Sequence, residues 1–214
     1  GGSGDSASKN KEELHVAISA NPPSLDPQSI NSNIVGGIGV HVYEPLFAMN
    51  ADYEPTPVLA ESYEVSDDGM VYTIKLRQGV KFHNGEEMTA DDVVASMNRW
   101  IEVSAKANTL IGGSVFEKVD DYTVNLKVNQ ASSDIIMILA SPIQAAAIYP
   151  AEVVESATAE GISEYIGTGP YKVSEWKQDQ YVKLEAYEDY QPSEGEASGL
   201  AGEKQAATPT IYYD

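Results

Sequence analysis

From Ala60 to Phe82 apolar and polar residues alternate along two short runs, divided by Asp67-Asp68-Gly69. Tyr63 and Val65 alternate with polar neighbours on the first run. On the second, Val71, Thr73 and Lys75 form one face, and Tyr72, Ile74 and Leu76 form the other. Side chains alternate across a strand, and a glycine tolerates the positive φ of a tight turn. The pattern therefore predicts a β-hairpin. A second hairpin is predicted where "VFEKV" and "YTVNLKV" flank Asp120-Asp121. A third is predicted where Tyr171, Val173 and Glu175 alternate before the turn "KQDQ". "ELHVAIS" (Glu13–Ser19) reads as a first strand, and "TPTIYYD" is strand-like.

Helical spacing appears between these runs. Asn84-Gly85 marks a turn. Thr89, with Asp92 three residues on, then makes a capping box in which Asp stands for the usual Glu. Asp91 and Asp92 lie in the first turn, where the helix dipole favours each negative charge by roughly 0.3–1 kcal/mol. Val93, Val94, Met97, Trp100 and Ile101 form one apolar stripe behind them. This acidic group is thus explained as scaffolding.

"SINSNIVGGIGVHVYEPLF" has helical spacing weakened by Gly36, Gly37 and Gly39. "SSDIIMILAS" reads as a short helix begun by a Ser/Asp cap, and "IQAAAIY" as a buried strand or extended piece. Pro150, at a first helical position, opens "PAEVVESATAEG". "ANPPSLDP" is a rigid extended loop, because proline cannot continue regular structure. From Gln191 to Thr208 the chain is rich in Pro, Ser, Gly, Glu and Ala and reads as a loop or disordered insert.

Composition narrows the chemistry. Thirty-three acidic residues against 13 basic ones give the 214-residue chain a net charge of −20. Nucleic acid and anionic bilayers repel such a surface. Hydrophobic residues make up 42%, enough for a true core, and there is no cysteine for a disulfide or a thiolate metal site. No apolar run approaches the roughly 20 residues that span a bilayer. The polar opening, residues 1–12, reads as a flexible tether.

His15, His41 and His83 are scattered and form no metal-ligating pair. "GTG" (Gly167–Gly169) is too short for a phosphate loop and is followed by Pro170, so it reads as a turn feeding a strand. Nothing assembles a nucleophile, base and oxyanion site. No catalytic residue, cofactor or metal is expected.

The arrangement resembles a known family. "PVLAESYEVSDDGMVYTIKLRQGVKFHNGEEMTADDVVASMNRW" is followed by "GTGPYKVSEWKQDQYVKLEAYEDY", and both are preceded by "AISANPPSLDP" and "YEPLF". Together these runs are similar to the extracellular solute-binding proteins of peptide and nickel ABC importers. The resemblance covers most of Glu13–Tyr190. It implies a mixed α/β fold, the first lobe of a type II periplasmic-binding-protein architecture. Residues 13–190 would form that lobe and residues 191–214 a loop insert and terminal strand, with the second lobe absent.

The resemblance also implies a function. Members of the family close two lobes around a guest, deliver it to ABC permease subunits and perform no reaction. The implied guest is a short peptide, with nickel or a nickel chelate as the alternative. The implied location is extracellular, at the cell surface or in the periplasm, with membrane contact only through an N-terminal lipid tether. Ligand-facing positions carried over by segment are Asn21, Ser24 and Leu25 in the loop after the first strand, Asn108 and Thr109 after the capped helix, and Ser141, Ile143 and Gln144 before "AAAIYP". Two other classes stay open on the residues alone. One is a hydrolase with a facing carboxylate pair. The other is a structural surface module, which a large exposed apolar patch would suit.

Overall fold

The computed structural model describes residues 12–214. The expected tether, save its last residue, lies outside the described residues. In chain order the elements are β1 (Glu13–Val16), α1 (Asn33–Val42), β2 (Phe47–Met49), β3 (Pro55–Pro57), β4 (Ala60–Val65), β5 (Val71–Leu76), α2 (Ala90–Val103) and α3 (Ala105–Ile111). There follow β6 (Val115–Asp120), β7 (Thr123–Lys127), α4 (Ile135–Leu139), α5 (Ala151–Glu155), β8 (Tyr171–Lys177), β9 (Tyr181–Ala186) and β10 (Thr210–Tyr213). All three predicted hairpins form, as β4–β5, β6–β7 and β8–β9.

Two apolar cores organise the chain. The first lies under the sheet β4-β5-β7-β6. Tyr72, Ile74 and Leu76 of β5 and Val124 and Leu126 of β7 point inward, against Val93, Met97, Trp100 and Ile101 of α2. The apolar stripe of α2 is what this sheet face needs. Its capping box forms, with the Thr89 N–H donating to Asp92 Oδ2 at 2.9 Å. Asp92 Oδ1 also accepts from the Ala151 N–H at 2.8 Å, so the acidic cap joins the starts of α2 and α5. The small hairpin β2–β3 also packs here.

The second core lies under the sheet β1-β10-β9-β8. Leu25, Ile38, Val42 and Tyr43 pack on Tyr171, Val182, Leu184, Ile211 and Tyr213. β10 inserts between β1, which it meets in parallel, and β9, which it meets antiparallel. Chain segments far apart in sequence thus share one sheet.

Several bounds differ from the sequence pattern. α1 keeps to Asn33–Val42, where Ser32 caps it and Glu44-Pro45 stops it. Its glycines are tolerated because Gly36 and Gly37 face open space and Gly39 lies against Pro27. α5 is only five residues long, with Pro150 at its N-cap rather than its first helical position. Past Ser156, Thr158 and Gly161 exchange backbone hydrogen bonds at 3.0 Å, and this turn replaces the helix. "AAAIYP" is extended and buried but outside any sheet. The pattern gave no sign of α3, which starts where the Ser104 side chain accepts from the Ala107 N–H at 3.3 Å.

Residues 191–208 carry no helix or strand but are tied to the body. The Arg77 guanidinium donates to the carbonyls of Gln191 and Pro192 at 3.0 and 3.1 Å. The Leu200 N–H donates to the Met49 carbonyl at 2.9 Å.

Candidate functional site

Three open depressions meet around the turn Ser141-Pro142-Ile143. Their walls come from Pro27–Asn33, the outer side of α1, the Met49–Tyr53 stretch, residues 140–147 and the Gly199–Lys204 loop. The turn is held rigidly. Gln144 sits at φ +46°, a strained value for a residue with a side chain. Its Oε1 accepts from the Ala105 N–H at 3.0 Å and its Nε2 donates to the Ser29 carbonyl at 3.1 Å. Its own carbonyl accepts from Trp100 Nε1 at 2.7 Å. One residue thus fixes α2, α3 and the proline loop against each other. Ser141 is buried, and its hydroxyl accepts from Lys106 Nζ at 3.2 Å.

The surface is largely apolar and uncovered. Ile143 is 50% exposed, Met137 48% and Tyr53 81%, all on the depression that runs past Ser141 and Pro142. Large apolar side chains grouped in this way mark a surface that meets something else.

Charge is sparse here, against the strongly acidic average. The three depressions are lined by one acid, Glu44, and two lysines, Lys106 and Lys204. Glu44 is buried and accepts from the hydroxyls of Thr168 at 2.9 Å and Tyr190 at 3.1 Å. Burial pushes its carboxyl above the ordinary range, an effect that Lys204 and these hydroxyls partly offset. Burial likewise pushes the Lys204 ammonium down, and Glu44 opposes that.

The expected ligand-facing residues are placed as follows. Ser141, Ile143 and Gln144 come together on this surface. Asn21 lies apart, donating to Asp179 at 3.0 Å in the β8–β9 turn. Ser24 and Leu25 are buried, Ser24 accepting from the Asp26 N–H at 3.2 Å and Leu25 inside the second core. Asn108 and Thr109 are exposed on α3 but line none of the three depressions, whereas Lys106 of the same helix does.

Sequence reasoning passed over Gly36, Val40, Tyr53, Leu200 and Lys204. The glycines of α1 were a usable signal, since they leave an open helix face. A lone lysine within an acidic Gly-rich stretch was another. Among the described residues no group of three or more His, Cys, Asp or Glu is placed to hold a metal ion. None of the described helices is long and apolar enough to cross a membrane.

Two sheets, each backed by helices and joined beside an open apolar face, are the architecture of a periplasmic-type binding protein. Solved structures share it. The oligopeptide-binding protein AppA from Bacillus subtilis, in complex with a nonapeptide, superposes with a TM-score of 0.74 at 27% identity, over 94% of this chain and 39% of that one. NikA from Brucella suis, in complex with Fe(III)-EDTA, gives 0.77 at 27% identity over the same shares. The glutathione-binding protein GsiB of Escherichia coli K12 is 35% identical over 185 residues, 84% of this chain and 35% of that protein.

The family model described as bacterial extracellular solute-binding proteins, family 5 Middle, matches residues 54–207. The chain belongs to this family of solute-binding proteins. It spans about a third of the length of the curated relatives it matches.

Proposed function

We propose that this chain is the first lobe of the substrate-binding component of an ABC importer, with its second lobe supplied by sequence outside the chain. The guest is a short peptide, gripped between the lobes and handed to permease subunits. The observation that carries this reading is the rigid, uncovered apolar face around Ser141-Pro142-Ile143. Half an enclosure is what such a face provides, since ligand sites bury most of a guest's surface. The likeness to AppA, solved with a nonapeptide, and to the glutathione-binding protein GsiB favours peptides. Closure is a population shift driven by contacts made only in the closed state.

The lobe binds and does not catalyse. Asp92 caps a helix, Asp68 shapes a turn and Glu117 pairs with Lys127. An extracellular location accords with a family of extracellular solute-binding proteins, and the N-terminal lipid tether is part of the same proposal.

A second reading is capture of a nickel chelate, and the likeness to NikA, solved with the metal chelate Fe(III)-EDTA, favours a chelated metal as guest. Calorimetry on a two-lobe protein that contains this chain separates the two. The account expects heat from short peptides and none from nickel–histidine. Heat from the chelate alone would establish the second reading, and heat from neither would refute both.

A further inference from the structure

Lys204 is the basic residue at the mouth of the pocket between α1 and residues 140–147. It arrives on the irregular Gly199–Lys204 loop, which is pinned by the Leu200 N–H on the Met49 carbonyl and by Ser198 Oγ accepting from the Ala51 N–H at 3.1 Å. The position is therefore built rather than loose. Lys204 Nζ is part-buried and donates to the Val40 carbonyl at 3.2 Å, its one protein hydrogen bond among the described residues. An ammonium carries three donors. Two remain, and the pocket beside them is walled mostly by apolar residues such as Val40, Pro142, Ala145 and Leu200, with Ser141 and Glu44 also on its lining. Glu44, the acid on this pocket, accepts from Thr168 and Tyr190 and makes no ion pair with Lys204.

A part-buried cation with unused donors, facing an apolar depression, is an arrangement completed by an anion. The pocket encloses about 50 Å³. That is far below the roughly 300–1,000 Å³ of sites that enclose a whole small molecule, so the pocket admits one end group of a guest and not the guest itself. Lys106 flanks the same Ser141-Pro142 turn on the adjoining depression. Across the three depressions two lysines face one acid, on a chain of net charge −20.

We infer that Lys204 anchors a carboxylate of the guest in this pocket. The inference rests on the peptide-binding reading and adds a polar anchor on this lobe to what is otherwise apolar contact. The carboxylate has two possible sources, the peptide C-terminus or an acidic side chain, and both present the same group to the ammonium.

The test uses the chain itself and small probes, so it does not depend on lobe closure. Trialanine, trialanine amide and Ala-Glu-Ala amide are titrated to millimolar levels while backbone amide NMR shifts of Gly36, Ser141 and Leu200 are followed. Trialanine is expected to shift these amides saturably and trialanine amide to leave them unmoved. A response to Ala-Glu-Ala amide as well extends the anchor to side-chain carboxylates, and its absence restricts it to the terminus; either supports the proposal. Lys204→Met should abolish the trialanine response, and Lys204→Arg should retain it.

Equal responses to trialanine and its amide, or no response to either, would overturn the inference. Because that comparison is made on the unaltered chain, a variant that fails to fold does not shield it. The two readings also fail separately. A two-lobe protein that binds peptides equally well with Lys204→Met defeats the anchor alone. Carboxylate binding here without peptide capture by the two-lobe protein defeats the peptide reading alone.

Discussion

Asp26 and Arg99 form a buried ion pair at 2.6 Å that joins the two cores. Asp26 lies in the proline loop after β1, and Arg99 lies on α2 beneath the other sheet. The Asp26 carboxylate also accepts from the Tyr149 hydroxyl at 2.6 Å, Ser29 Oγ at 3.0 Å and the Gln28 N–H at 3.2 Å. Arg99 reaches Gln28 Oε1 at 2.8 Å, and Gln28 Nε2 donates to the carbonyls of Ser96 and Ala147. Removing one member of such a pair strands a buried charge, at a cost of about 3–5 kcal/mol. Arg99→Met is expected to lower the free energy of unfolding, measured by urea denaturation, by that amount. A loss under 1 kcal/mol would mean that the two cores are not coupled through this pair.

His83 makes the second junction and makes it sensitive to pH. Its Nε2–H donates to the Gly169 carbonyl at 3.0 Å, and its Nδ1 accepts from the Gly167 N–H at 3.1 Å. Protonating Nδ1 would set donor against donor. Burial, the main cause, brings the pKa down from 6.5 to about 4. A depressed folded value means that the unfolded chain takes the proton first. His83's share of stability is therefore complete above pH 6.5 and declines as pH falls towards 4, by roughly 3 kcal/mol over the whole window. An NMR titration of the imidazole should show it neutral down to about pH 4. A midpoint near 6.5 would contradict this.

Gly167 and Gly169 pass so close to α1 that neither admits a side chain. A Cβ on Gly169 would lie 2.5 Å from the His41 carbonyl oxygen, and one on Gly167 would overlap the Val42 carbonyl. The Gly169 N–H donates to that Val42 carbonyl at 2.9 Å. Overpacking of this kind costs about 1–3 kcal/mol. Gly169→Ala is expected to lose that much in chemical denaturation, and an unchanged midpoint would show that the contact yields.

Gln144 bears on the site itself. Gln144→Ala removes the hydrogen bonds to the Ala105 N–H and the Ser29 carbonyl, each worth about 0.5–1.5 kcal/mol. Amide exchange should quicken at Ser141–Gln144 ahead of the β-sheets. Uniform exchange across the chain would argue that the turn is not held by this side chain.

The hairpins and α2 were legible because local signals and tertiary need agree there. Asp67-Asp68-Gly69 sets a turn and Tyr72, Ile74 and Leu76 fill a core, so neither has to override the other. The family resemblance was legible for the same reason, through ordered runs of such units. α3 was not, because seven residues with one serine cap give no periodic signal. Nor was the end of α5, which a Thr158–Gly161 turn decides through contacts rather than pattern.

The site was legible only in part. Ser141, Ile143 and Gln144 share a surface with Lys204, 60 residues beyond Gln144. That proximity follows from the tethering of the 191–204 segment to Arg77 and Met49, which no local pattern encodes. Asp26 was quoted within the proline loop, but its five donors come from three separate parts of the chain.

On the proposed function, this chain supplies half of a closing grip. The most direct measurement compares, by calorimetry, the affinity of one short peptide for the chain alone and for a two-lobe protein that contains it. The account predicts tight binding by the two-lobe protein and only weak, millimolar-range contact with the chain alone. Equal, tight binding by the chain alone would contradict it.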